Sequence, residues 1–206
     1  SQRSYSTPSD EGRHILTWLD DGDNVVGEDE VVPFVASNIT DDNFFWLDTD
    51  TRDIGRNLVD WVRGKETGLS QFRSRSVDYD GSSGPRGVEI MRLGDIIHST
   101  PVSVAAPTAS FDQFALDTSY AEFRQQYQNR RQMVYVGAND GMIHAFNAGF
   151  FNADDLKFEL ALEDSGATQH PLGGEVWAYV PKNLLPHLQW VARQDYSHVY
   201  YMDLPI

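Results

Sequence analysis

Six histidines, at positions 14, 98, 144, 170, 187 and 198, and 31 Asp and Glu side chains are the residues that could do chemistry here. Zinc hydrolysis needs two histidines one helical turn apart with a glutamate base between them. The chain holds no HExxH and no histidine pair at i, i+4, so each histidine reads as a surface or packed residue. Calcium in an EF-hand needs oxygen ligands at loop positions 1, 3, 5 and 12 and glycine at 6. Counting from Asp21 puts Asp23 third but Val25, Val26 and Val32 at the fifth, sixth and twelfth positions; counting from Asp48 puts Asp50 third, then Arg52 and Asp53. Both registers fail, and both stretches read as solvated acidic loops.

Nucleophilic catalysis is equally unsupported. No G-x-S-x-G elbow occurs, and Asp95, His98 and Ser99 lie too close along one strand or turn to be read as a triad. The GSSGPRG run follows no convincing strand pattern and reads as a loop rather than a dinucleotide site. The absence of cysteine removes disulfides, thiolate metal sites and cysteine nucleophiles together. The expectation is a chain without a catalytic, cofactor-binding or metal residue.

Composition narrows the partners. At 206 residues and 40% hydrophobic content the chain can bury a core. A net charge of −15, with Lys65, Lys157 and Lys182 the only lysines, supplies neither the cationic surface that nucleic acid requires nor a polybasic membrane patch. Apolar runs such as Val31 to Ala36 fall far short of the roughly 20 residues of a membrane helix. The start Ser-Gln-Arg-Ser-Tyr, without methionine or signal pattern, suggests a segment of a longer precursor.

The periodicity predicts the elements. The first ten residues are polar and expected to fray. HILTWLD (14–20) and VVPFVA (31–36) make a hairpin with an acidic tip, and Ile54, Leu58, Trp61 and Val62 form one face of a helix capped by Asp53 and ended by Gly64. The loose DYDGSSGPRG stretch marks a boundary. Beyond it come a strand whose Pro101 argues for an edge position or a bulge, and a helix carrying Tyr120, Phe123 and Tyr127. VYVGANDGMIHAFNA (134–148) then reads as a period-2 hairpin, its turn Asn139-Asp140-Gly141 tolerating positive φ. EVWAYVP follows as a strand ending at Pro181, then a helix capped by Asn183 with Leu184, Leu188 and Val191 on one face, and a last strand in SHVYYMD. Aromatic residues near the end, including Trp177, Tyr179, Tyr196, Tyr200 and Tyr201, suit inter-sheet packing.

Four stretches in order, LVDWVRG (58–64), RLGDIIHSTPVSV (92–104), VYVGANDGMIHAFNA (134–148) and GGEVWAYVPKNLLPHL (173–188) with YSHVYYMD (196–203), resemble the PilC/PilY group of type IV pilus biogenesis factors and tip-associated adhesins. The resemblance implies a quinoprotein-like β-propeller in a secreted protein at the pilus tip or outer membrane, exported through the periplasm. It implies roles in pilus biogenesis, twitching motility and attachment, with minor pilins or other pilus components and a host-cell receptor as partners. About 115 residues follow Leu93, room for two blades or so and not a closed ring.

The expected fold is therefore mainly β with several short helices: an N-terminal segment over 1–86, then the first one to two blades of an incomplete propeller over 87–206. Gly137, Asn139, Asp140, Gly141, Trp177 and Pro181 are the expected blade motif, with structural roles. No cofactor is expected in this chain; the group's calcium loop has no counterpart among the matched motifs and is expected elsewhere in the parent protein. Some relatives end the helix motif in Arg-Gly-Asp, whereas this chain reads Arg63-Gly64-Lys65, so recognition through that tripeptide does not carry over. Two other readings stay open: a fragment of a quinone-dependent dehydrogenase propeller, or a scaffold within another secreted propeller. Open sheet edges predict self-association of the isolated chain.

Overall fold

The computed structural model describes residues 12–20, 22–23, 27–78, 81, 88–152, 154–160 and 170–202. The first ten residues, Asp21, Val25 and Val26 of the first acidic loop, most of DYDGSSGPRG and the end at Leu204–Ile206 lie outside them.

Strand β1 (Ile15–Trp18) pairs antiparallel with β2 (Val31–Pro33) across the acidic loop, as the alternation predicts. Helix α1 (Arg52–Arg63) buries Leu58, Trp61 and Val62. Thr51, rather than Asp53, caps it: the Thr51 hydroxyl accepts from the Ile54 N–H at 3.3 Å, and Asp53 sits inside the first turn, where its charge favours the positive helix end. Gly64 ends the helix at φ +114, and any side chain there would run into Arg92. Strands β3 (Ser76–Asp78) and β4 (Val88–Ile90) form a separate antiparallel ribbon.

Strand β5 (Val102–Val104) directly follows Pro101 and, among the described residues, pairs with β6 (Gln132–Ala138) alone, so of the edge and bulge alternatives it takes the edge. Between them lie α2 (Phe111–Phe114) and α3 (Thr118–Gln126), the latter capped by Asp117. Strand β7 (Met142–Asn152) closes the hairpin with β6, its far end pairs with β8 (Lys157–Glu159), and β9 (Glu175–Val180) lies on its other side. The sheet order is β2-β1-β9-β7-β6-β5. Every pairing is antiparallel except β1 with β9, so strands from both sides of the sequence boundary near residue 86 share one sheet.

One face of this sheet carries the core. Ile15, Met142, Ala178 and Val180 pack there with Leu58, Trp61 and Val62 of α1 and with Leu188, Val191 and Ala192 of α4 (Leu188–Ala192). Helices thus fill one side, and the architecture is mixed helix and sheet rather than mainly β. No closed ring or barrel forms among the described residues.

Two local expectations are corrected. Asn183 caps nothing: the turn after β9 starts as a 3₁₀ helix, Lys182–His187, with Pro181 at its N-cap, and Leu185 rather than Leu184 is fully buried. Proline at position 186 fits the 3₁₀ turn and delays the α-helix to Leu188. SHVYYMD forms no strand over its described residues, Ser197–Met202. Its hydrogen bonds go instead to side chains: Asn139 Oδ1 accepts from the Tyr201 N–H at 3.1 Å, and the Ser99 hydroxyl donates to the Met202 carbonyl.

Candidate functional site

The β6–β7 turn is where the sequence motifs converge. Ala138 pairs with Met142, which leaves a loop of Asn139, Asp140 and Gly141. Only Gly141 takes positive φ, at +86. Asn139 and Asp140 keep ordinary backbone geometry, and their side chains bond to distant segments.

Asp140 is the first hub. Its Oδ1 accepts from the Met142 N–H at 3.1 Å and its Oδ2 from the Gly94 N–H at 2.8 Å. Gly94 is a glycine because a Cβ there would strike the Asp140 backbone nitrogen. Asn139 is the second hub: its N–H donates to the Asp95 carbonyl at 3.0 Å, its Nδ2 to Asp95 Oδ2 at 3.2 Å, and its Oδ1 receives Tyr201. Gly137 lacks a side chain where Met202 crosses, since a Cβ would lie 2.8 Å from the Met202 Cβ. The hairpin tip therefore fastens the 92–95 loop and the 196–202 segment to the sheet.

Beneath the tip lies a charged chain that crosses the sheet. His144 is 0% exposed, with Nε2 3.1 Å from Asp140 Oδ2 and Nδ1 2.8 Å from Glu175 Oε1. Glu175 continues to Arg13, whose Nε and Nη2 donate to its two oxygens at 2.7 and 2.8 Å. Arg13 Nη1 also donates to the Val62 carbonyl at 3.2 Å, at the end of α1. Arg63 returns the link, donating to the Arg13 carbonyl at 2.7 Å and the Phe34 carbonyl at 3.0 Å.

Burial alone would push the His144 imidazole down; hydrogen bonds and charge from Asp140 and Glu175 outweigh it and raise it to about 9. Burial likewise opposes ionisation of Glu175, yet Arg13 and His144 hold its carboxyl well below the usual carboxylate range. At neutral pH His144 and Arg13 are therefore positive and Glu175 between them is negative. With both ring nitrogens bonded and no exposure, His144 has no nitrogen to offer a substrate proton. The arrangement fixes geometry, with both His144 ring nitrogens committed to carboxylates. Among the described residues no three His, Asp or Glu side chains gather as metal ligands would.

Of the six motif residues, four meet at this turn and two lie elsewhere. Trp177 stands on the sheet face opposite the core, its ring centroid 5.7 Å from that of Tyr135, and Pro181 starts the 3₁₀ turn. The sequence reading missed His144, Glu175 and Arg13. Period-2 alternation sets Met142 and His144 on one face, and that was the available signal for His144. Glu175 carried none, because a register shift at Ala145/Phe146 leaves Val176 as an extra residue and pairs Glu175 with Phe146, on the His144 face.

No family model matches the chain, and no solved structure matches it. Curated relatives do. A Xylella fastidiosa protein named Type IV pilus biogenesis factor PilY1 homolog is 36% identical over 114 residues, 54% of this chain and 8% of that protein. Another match of the same name and organism is 30% identical over 212 residues, covering 93% of this chain and 13% of that protein. Type IV pilus biogenesis factor PilY1 of Pseudomonas aeruginosa is 28% identical over 193 residues, covering 86% and 13%. The chain thus spans about a tenth of the length of these relatives.

Proposed function

The chain belongs to the PilY1 family of type IV pilus biogenesis factors, and we propose that it is a non-catalytic packing unit of such a factor, carrying the first blade of its propeller. The observation that carries this reading is the order β5-β6-β7-β9: neighbouring strands joined antiparallel throughout, as in one propeller blade. The parallel addition of β1 beside β9 joins the preceding segment to the blade.

The sheet face away from the core supports the same reading. Leu16, Ile143, Val176, Trp177 and Tyr179 line an open groove of about 520 Å³ there, with His14 and His170 at the same groove. An apolar, aromatic sheet face of this kind suits burial against a neighbouring sheet. The names of the relatives support a role in pilus biogenesis and a cell-surface or pilus-associated place for the parent protein. Pilus components are the partners this implies; tip or outer-membrane placement, twitching and attachment to host cells complete the proposal. No helix among the described residues is long and apolar enough to cross a membrane.

The test is the structure of the complete polypeptide encoded by the gene. The reading requires a second antiparallel sheet packed on Trp177 and Tyr179. A solvent-exposed Trp177 face in the complete protein would refute it.

A further inference from the structure

Between the end of α1 and the β3–β4 ribbon lies a cleft of about 330 Å³ whose wall includes Arg73, Arg75 and Arg92. Arg73 and Arg75 are held in place. The Arg75 guanidinium carbon is 3.7 Å from the Trp61 ring centroid, and its Nη2 donates to the Trp61 carbonyl. The Arg73 guanidinium carbon is 4.4 Å from the Tyr196 centroid, and its Nε donates to the Val191 carbonyl at 2.7 Å. Arg92 crosses Gly64 at the end of α1.

None of the three has a carboxylate within ion-pair distance among the described residues. The nearby acids are engaged elsewhere: Asp140 with Gly94 and His144, Asp95 with His198 at 3.2 Å, and Glu66 with the Arg75 N–H at 3.0 Å. In a chain with 31 acids and 16 bases, three arginines gathered without a direct ion pair among the described residues run against abundance, even with Asp95 and Asp140 on the cleft wall. Burial first, and then the charge of Arg13, pushes Arg75 down to about 9, which an added anion would reverse.

We infer that this cleft binds a carboxylate carried by an acidic peptide segment of a partner protein. Guanidinium groups match a carboxylate with paired N–H donors, and groups fixed by rings and carbonyls lose little freedom on binding. A peptide fits better than an acidic glycan. Sugars stack on free aromatic faces, but Trp61 is 2% exposed and carries Arg75, while Tyr196 carries Arg73. The other cleft walls include Val77, Met91 and Leu93, each about two-fifths exposed or more, which suit apolar residues beside the acid. The inference rests on the arginines and stands apart from the blade reading.

The experiment pans a random nonapeptide library on the wild-type chain and measures the best peptide by calorimetry. Arg92→Gln is the variant of choice, because Arg92 makes no hydrogen bond among the described residues; unchanged circular dichroism confirms its folding. The expected result is selected peptides that share an Asp or Glu at one position. Affinity should fall at least tenfold with Arg92→Gln, and equally when that acid becomes its amide. Peptides without acidic bias, binding that ignores Arg92→Gln, no selection at all, or binding of polygalacturonate in place of peptide would each overturn it.

Discussion

Glu175 reaches His144 at 2.8 Å because Val176 is an extra residue in β9. Opposed residues share a sheet face, and His144 opposes Ala178 while Phe146 opposes Glu175. Regular alternation from Ala178 would send Glu175 to the Trp177 face. The bulge turns it into the charged chain that links the hairpin, β9 and α1.

Glu175→Ala should therefore strand Arg13 and His144 without their shared carboxylate, and unpairing a buried charge costs about 3–5 kcal/mol. Urea denaturation should show a loss of this size. Deleting Val176 removes the bulge but leaves Glu175 opposite Phe146 and on the His144 face, so its loss should be smaller. A deletion more damaging than Glu175→Ala would mean that the bulged backbone, and not the ion chain, carries the stability.

Stability should depend on pH from both sides. The His144 imidazole rises from 6.5 unfolded to about 9 folded, so its contribution is complete below pH 6.5 and is lost as pH climbs through 9. Glu175 has a depressed folded value, so its contribution is present above 4.5 and is lost as pH falls below it. The histidine part is on the order of 3 kcal/mol. Melting temperature should plateau between about pH 4.5 and 6.5, and His144→Leu with Glu175→Gln should flatten the alkaline limb. An alkaline limb that persists in that double variant would contradict the assignment.

Two glycines should differ in cost for a physical reason. Gly141→Ala places a side chain at φ +86 with Leu188 Cδ2 3.3 Å away, a strain of about 1–2 kcal/mol. Gly94→Ala meets the backbone of Asn139 and Asp140, which cannot yield without breaking the tip. Thermal melts should rank Gly94→Ala as the more damaging, and the reverse order would discount the tip as a fastening point.

The sheet face left open among the described residues should make the isolated chain associate. Sedimentation should show concentration-dependent self-association, weakened by Ile143→Lys on that face and little changed in melting temperature. A chain that stays monomeric throughout would count against an exposed packing face and open edges alike.

Local pattern made much of this fold legible. The 138–142 turn, α1 with its Gly64 stop, and the β1–β2 hairpin follow from spacing and turn chemistry within short windows. What stayed hidden depends on distance. The parallel β1–β9 pairing joins residues about 160 positions apart, and no local signal announces it. Tyr201 has strand-like neighbours, yet its N–H goes to the Asn139 side chain, a bond that no local pattern around Tyr201 announces. The motif residues Asn139 and Asp140 were found for their turn propensity and matter for their side chains.

The most direct measurement of the central claim is surface piliation in the source bacterium, read by shearing and quantifying the major pilin. A strain lacking the gene should lose most surface pili; the intact gene should restore them. A gene carrying Glu175→Ala, which disrupts the packing unit and touches no exposed surface chemistry, should restore few. Normal piliation without the gene would contradict the account.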